Sequence, residues 1–263
     1  MGSGSRSVRP GPGPGPGRRR LRRSRSGRRG VGAAALGYPY TVRVESAAEA
    51  ASGKGLLTPG KTVASIRRTP RTILLVELRR RRGHVLYEPV YALIDGATGA
   101  QAVLESGLTF RRGFAGLAGL GSRHLVFLKS MKQRGDTDLA SVLRLTRTSR
   151  SVGLRIASVL VRRRLIKKRG PEAYSRVVPL PKPFIAPEPP ALEPVKIRGK
   201  PRLKPPLILA GIRLLVSTLW GEYVVSGVQP FFYPVYAAAV IDRGDIRHVY
   251  VDGRTGERIR LPN

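Results

Sequence analysis

The segment Gly55-Leu56-Leu57-Thr58-Pro59-Gly60-Lys61-Thr62 matches G-x-x-x-x-G-K-[ST] letter for letter. In that motif backbone N–H groups and the lysine cradle nucleotide phosphates, while the hydroxyl meets magnesium. The chemistry needs a buried strand before the loop and a sizeable helix after it. Here Ala47-Ala48-Glu49-Ala50-Ala51 precedes the loop and Pro70 stops any helix within about two turns. Lys61 and Thr62 are therefore weak cofactor-binding candidates, and no cofactor is expected. Phosphate binding by clustered cations is better supported. Arg162, Arg163, Arg164, Lys167, Lys168 and Arg169 fall within eight residues, and Arg155 lies just upstream. On a helix they would contact several phosphates, with an affinity that falls steeply with salt. Arg79, Arg80, Arg81 and Arg82, read as a turn region between two strands, would extend that surface or protect a strand edge from pairing.

No other residue set suggests chemistry. The chain has no cysteine, which excludes disulfides, thiolate metal sites and a cysteine nucleophile. His84, His124 and His248 are far apart and show no metal-ligand spacing, so no metal site is expected. Acidic groups are too scattered to suggest a catalytic pair or triad. Tyr87, Tyr91, Phe231, Phe232, Tyr233 and Tyr236 are candidates for stacking bases, although strand aromatics more often pack in a core.

Charge dominates the composition: 49 Lys+Arg face 16 Asp+Glu, a net of +33 over 263 residues. Residues 1–30 hold ten of the arginines among Gly, Pro and Ser, and read as a disordered basic arm. The rest still carries 39 basic against 16 acidic residues, a net of +23, so the preference for an anionic partner does not depend on the arm. The Arg- and Pro-rich, Cys-free composition fits a hyperthermophilic archaeal source. No apolar run reaches about eighteen residues and no secretory signal is evident, so a cytoplasmic location is expected.

Several elements would position these groups. Tyr40–Val44, Ile73–Leu78, Val85–Ile94 and the residues up to Leu104 read as strands of a first unit, 38–104, with a short helix in Glu45–Ala51 and a bend at Glu88-Pro89. Residues 105–170 read as a basic helical segment in which Asp136 and Asp138 are N-cap candidates. Residues 171–206 form a Pro-rich linker. Residues 207–263 read as a helix, Leu207–Val225, and then strands Tyr233–Ile241, Ile246–Val251 and Glu257–Leu261. Tyr91–Val103 and Val249–Ile259 each place an Asp-Gly-x-Thr-Gly turn between two β-prone runs, so an internal duplication of a three-stranded meander is expected.

A helix followed by three antiparallel strands, with Val249, Val251, Asp252, Thr255, Gly256 and Ile259 at these spacings, resembles the PepSY-type α-β-β-β module. Ile94, Asp95, Thr98 and Gly99 carry the resemblance in the first copy. It implies a protein-interaction or membrane-linked module that can modulate peptidases. The expected fold is α+β, with two small antiparallel three-stranded meanders and a helical middle. The expected function is non-enzymatic nucleic-acid binding, DNA or RNA, through phosphate contacts. The alternatives are a PepSY-like scaffold on an acidic membrane surface or a protein partner and, less favoured, a P-loop nucleotide binder.

Overall fold

The computed structural model describes residues 34–53, 61–196 and 209–261. The basic arm at 1–30, residues 55–60 of the phosphate-loop match, and 197–206 of the Pro-rich segment lie outside them. In chain order the elements begin β1 (Ala34–Gly37), α1 (Val44–Ser52), β2 (Lys61–Arg68), β3 (Arg71–Arg82), β4 (Val85–Asp95), β5 (Gln101–Leu104) and β6 (Leu108–Arg111). There follow α2 (Ser122–Ser130), β7 (Asp136–Asp138), α3 (Leu139–Thr146), α4 (Arg150–Arg162), β8 (Ile166–Lys168), β9 (Ala173–Arg176) and β10 (Glu193–Lys196). The last are α5 (Leu209–Leu219), β11 (Tyr223–Tyr233), β12 (Val235–Asp242), β13 (Asp245–Asp252) and β14 (Arg258–Ile259). The described chain is thus mixed α and β, mostly β, in three sheets.

The meander strands sit inside larger sheets. A seven-stranded sheet runs β10-β1-β11-β3-β4-β5-β6, a four-stranded sheet runs β14-β13-β12-β2, and β7-β9-β8 form a third. β2 leads directly into β3 yet pairs with β12 in the other sheet, and β11 leads directly into β12 yet pairs with β3. The two segments flanking the helical middle therefore exchange strands. The crossovers are Thr69-Pro70 and Pro234 alone, and proline suits a position where the chain leaves one ladder for another.

Three apolar clusters follow from this topology. Leu74, Val76, Leu78, Ala92 and Ile94 face α2, α4 and α5 through Leu125, Leu160, Ile212 and Val216. Ile73, Leu75, Phe231 and Tyr233, on the opposite face, meet Val235 and Ile259 of the four-stranded sheet. Tyr236, Ala238, Val240 and Val251 pack beneath Ala47 and Ala51 of α1. The run Ile73–Val76 is buried on both faces, as expected of a central strand covered on each side.

Each Asp-Gly-x-Thr-Gly turn is a four-residue loop built on a buried carboxylate. The Asp95 carboxylate accepts from the Thr98 N–H at 3.0 Å and the Asp252 carboxylate from the Thr255 N–H at 3.2 Å. The Thr98 and Thr255 hydroxyls in turn accept from the N–H of Ala100 and Glu257. Gly99 and Gly256 close the loops at φ 82° and 78°, a left-handed conformation that L side chains rarely adopt. The first glycine serves a different purpose, since a Cβ on Gly253 would lie 2.7 Å from Pro234 Cβ and 2.8 Å from Tyr40 Cδ1. Asp95 is neutralised by Arg71, whose Nε and Nη2 donate to it at 2.8 and 2.7 Å. Asp252 instead accepts from the Tyr233 hydroxyl and from the Leu108 N–H of β6, both at 2.8 Å.

Several local expectations change: 105–170 is not wholly helical, since β6, β7 and β8 interrupt its helices, and 171–206 is not only a linker, since it holds β9 and β10. Tyr40–Val44 is not a strand: the N–H groups of Thr41 and Val42 both donate to the Gly253 carbonyl, so this segment wraps the second turn. The four arginines continue β3 as far as Arg82, and the ladder slips between Arg79 and Arg81, opposite Tyr87-Glu88 and next to Pro89, which lacks a donor. The helix expected over Leu207–Val225 ends at Leu219, and β11 occupies the following residues. Of the two cap candidates, Asp138 caps α3, accepting from the Ser141 N–H at 3.0 Å, and that bond lowers its pKa; Asp136 begins β7.

Tyr40 donates its hydroxyl to the Val235 carbonyl, and burial raises its pKa from 10.0 to about 12; burial and the Asp252 carboxylate raise that of Tyr233. Groups whose folded pKa exceeds the unfolded one stabilise fully below the unfolded value and lose that contribution as pH rises through the folded value. Stability in urea should therefore hold up to about pH 10 and fall between there and about pH 12, less steeply in Tyr40→Phe. At neutral pH, Tyr233→Phe should cost about 1–3 kcal/mol and Asp95→Ala about 3–5 kcal/mol, measured by urea unfolding.

Candidate nucleic-acid interface

The basic run 162–169 does not lie on one helix. α4 ends at Arg162, Arg164 takes φ 56°, and the Leu165 N–H returns to the Leu160 carbonyl while the Arg164 N–H returns to Val161. This is a Schellman closure with an arginine in the position usually held by glycine. Leu165 and Ile166 plunge into the core, and β8 then pairs with β9. The cations accordingly fan out over a helix end, a turn and a short strand.

Their states differ. Arg155 and Arg162 are exposed on the same side of α4, about 10 Å apart along its axis. Arg164, Lys167 and Lys168 are also exposed, and none of these five has a carboxylate partner among the described residues. Arg163 donates to the Ala118 carbonyl at 2.9 Å. Arg169 donates to Ser175 at 3.0 Å and lies 3.9 Å from Asp136, and Arg150 at the start of α4 is paired with Glu172.

The hairpin arginines are more heavily committed. Arg80 pairs with Glu222 at 2.9 Å and Arg81 donates to the Gly83 carbonyl. Arg79 Nε is buried 3.7 Å from the Glu77 carboxylate without a hydrogen bond among the described residues, and Arg82 is exposed. Beyond them Val85, Leu86 and Tyr87 are 60, 52 and 46 % exposed, so the tip is as apolar as it is basic. Among the described residues no hydrogen bond, ion pair or ring contact joins this hairpin to the α4–β8 cations.

Lys61 and Thr62 open strand β2, paired with Asp242 and Ile241, where a phosphate-binding loop would start a helix. Of the candidate stacking aromatics, Phe231, Phe232, Tyr233 and Tyr236 are buried, and only Tyr87 is well exposed. The arginine-stacked rings lie elsewhere: the Arg111 guanidinium sits 4.2 Å from the Phe184 centroid and that of Arg254 sits 4.1 Å from Tyr38. The doublet Arg111-Arg112 before Gly113 was the one sequence signal for the first of these.

The described part of the Pro-rich segment is bound to the body. Trp220 Nε1 donates to the Pro181 carbonyl at 2.8 Å, and Ala186 exchanges two backbone bonds with Tyr91, beyond the last paired residues of β4 and β5. The strap so formed borders three grooves of about 310, 250 and 370 Å³. Among the described residues no helix is long and apolar enough to cross a membrane.

Comparisons with protein-family models, curated proteins and solved structures find no match to this chain. Because Lys61 begins a strand, magnesium–ATP should leave the melting temperature of both the wild type and Lys61→Ala unchanged in a thermal-shift titration.

Proposed function

We propose that this chain is a non-enzymatic nucleic-acid-binding protein that grips phosphates through its α4–β8 surface and reads little base sequence. The carrying observation is the group Arg155, Arg162, Arg164, Lys167 and Lys168: five exposed cations on adjoining elements with no carboxylate partner among the described residues. Cations left unneutralised repel one another, and a phosphate backbone relieves that repulsion while releasing its own counterions. Both DNA and RNA offer this chemistry.

The PepSY-like duplication belongs to the same reading as its scaffold. It is supported by the matched carboxylate-to-Thr N–H and Thr-hydroxyl bonds in the two turns, and by the reciprocal places of β2 and β11. A second reading, attachment to an acidic membrane surface, is favoured by the exposed Val85, Leu86 and Tyr87 beside Arg81 and Arg82.

Binding to a mixed-sequence oligonucleotide should weaken linearly on a plot of log affinity against log salt. Replacing the five cations with serine should lower that slope by about 4–5, at about 0.9 per phosphate contact. Equal slopes for the two proteins would reject the reading. Co-sedimentation with anionic vesicles that survives the five substitutions and is lost in Leu86→Asp would favour the membrane instead.

A further inference from the structure

The middle groove along the proline strap, about 250 Å³, is lined by Gln101, Arg111, Arg112, Gly113 and residues Pro179–Phe184. Its floor is the β5–β6 pair, in which Gln101 lies directly opposite Arg111. Its other wall is the strap, pinned by the Trp220–Pro181 bond, which brings Lys182 and Phe184 to the groove.

The lining includes three cations and no acid. Arg111, Arg112 and Lys182 have no carboxylate partner among the described residues. Arg111 lies over the Phe184 ring, which holds the guanidinium plane while leaving its N–H edge free to meet oxygens two at a time. Gln101 is only 2 % exposed, and its Nε2 is buried with no hydrogen-bond partner among the described residues. An unsatisfied buried amide is unfavourable in a folded core, and such a group often marks a ligand site. A bound group rich in acceptor oxygens would meet the three cations at the groove, and the amide once its side chain turns outward.

We propose that this groove binds a phosphate monoester, namely the terminal phosphate of a nucleic-acid strand. A monoester carries about −1.5 to −2 charge and three acceptor oxygens, where an internal diester carries a single charge. Three cations and an amide donor therefore suit the end of a strand better than its middle. The volume is below the ~300 Å³ at which ligand pockets usually begin, which fits a phosphate and part of its sugar better than a whole nucleotide. The strand as the source of the phosphate rests on the function proposed above; the groove's affinity for the phosphate itself does not.

The test uses the full chain and short single strands that differ only in ending with a phosphate or a hydroxyl, with inorganic phosphate as a separate probe. Phosphorylated ends should bind about tenfold or more tightly than hydroxyl ends, as one retained charged hydrogen bond would give. Arg112→Ala and Lys182→Ala, both at exposed positions, should abolish that preference while leaving the affinity for hydroxyl ends unchanged. Gln101→Met should weaken inorganic phosphate binding and at the same time raise the melting temperature, because it removes an unsatisfied donor. A purely structural glutamine would lower the melting temperature instead. Equal affinity for both ends in the wild type overturns the proposal. Binding of inorganic phosphate that Lys182→Ala weakens, with no strand bound at all, would defeat the nucleic-acid source and the function above while leaving the groove's phosphate chemistry standing.

Discussion

The Asp252 carboxylate is buried where the two large sheets meet, with no ion-pair partner among the described residues, and the geometry of the crossing depends on how it is satisfied. It accepts from Tyr233 at the end of β11, from the Leu108 N–H of β6, and from the N–H groups of its own turn. Tyr233 and Val235 belong to different sheets with only Pro234 between them. One carboxylate therefore fixes the angle at which the chain leaves the seven-stranded sheet and enters the four-stranded one. Asp95 does the corresponding work at the other turn through Arg71, which pairs with Tyr233 across the β3–β11 ladder. The crossing point thus holds two buried carboxylates, one neutralised by a guanidinium and one solvated by neutral donors alone.

That crossing sets what remains exposed. Because β11 fills the place beside β3 and β2 the place beside β12, the central strands are covered on both edges. The helical middle packs on one face of the larger sheet, which directs the buried side of α4 inward and leaves Arg155 and Arg162 outward. The strap completes the β4–β5 edge and creates the grooves. The scaffold is largely apolar within, with Gln101 Nε2 among its few buried donors left without a bond, and much of the excess charge sits on exposed side chains without a carboxylate partner among the described residues.

How much of this could be read from the amino-acid order differs by element. The hairpins β3–β4 and β12–β13 were legible because alternation and turn residues coincide there. Short strands such as β6 to β10 carry too few residues to show a period, while each of the two long exchanged strands is hidden for its own physical reason. β2 carries an extra residue between Ala239 and Val240 of its partner, so its inward-facing Val63 and Ile66 fall three apart and mimic helical spacing. β11 holds Gly227 and Pro230 and follows an apolar helix without a clear stop, so its start was absorbed into that helix. Pairing between distant segments leaves no local signal in either.

The cations were legible as a class and not as a surface. The run 162–169 looks helical until Arg164 turns left-handed, and the adjacent Leu165 and Ile166 were the available sign of a break, since both are buried where a helix would spread neighbouring side chains. Gln101 and Lys182 had no signal at all, because their chemistry arises only when the strap is laid over β5 and β6. The most direct test of the account is ultraviolet cross-linking of the full chain to a single-stranded oligonucleotide, followed by mass spectrometric mapping of the joined peptides. Cross-links should fall in the segment from α4 through β8, residues 150–169, and disappear at high salt. Cross-links confined to the β3–β4 hairpin, or none at low salt, would contradict it.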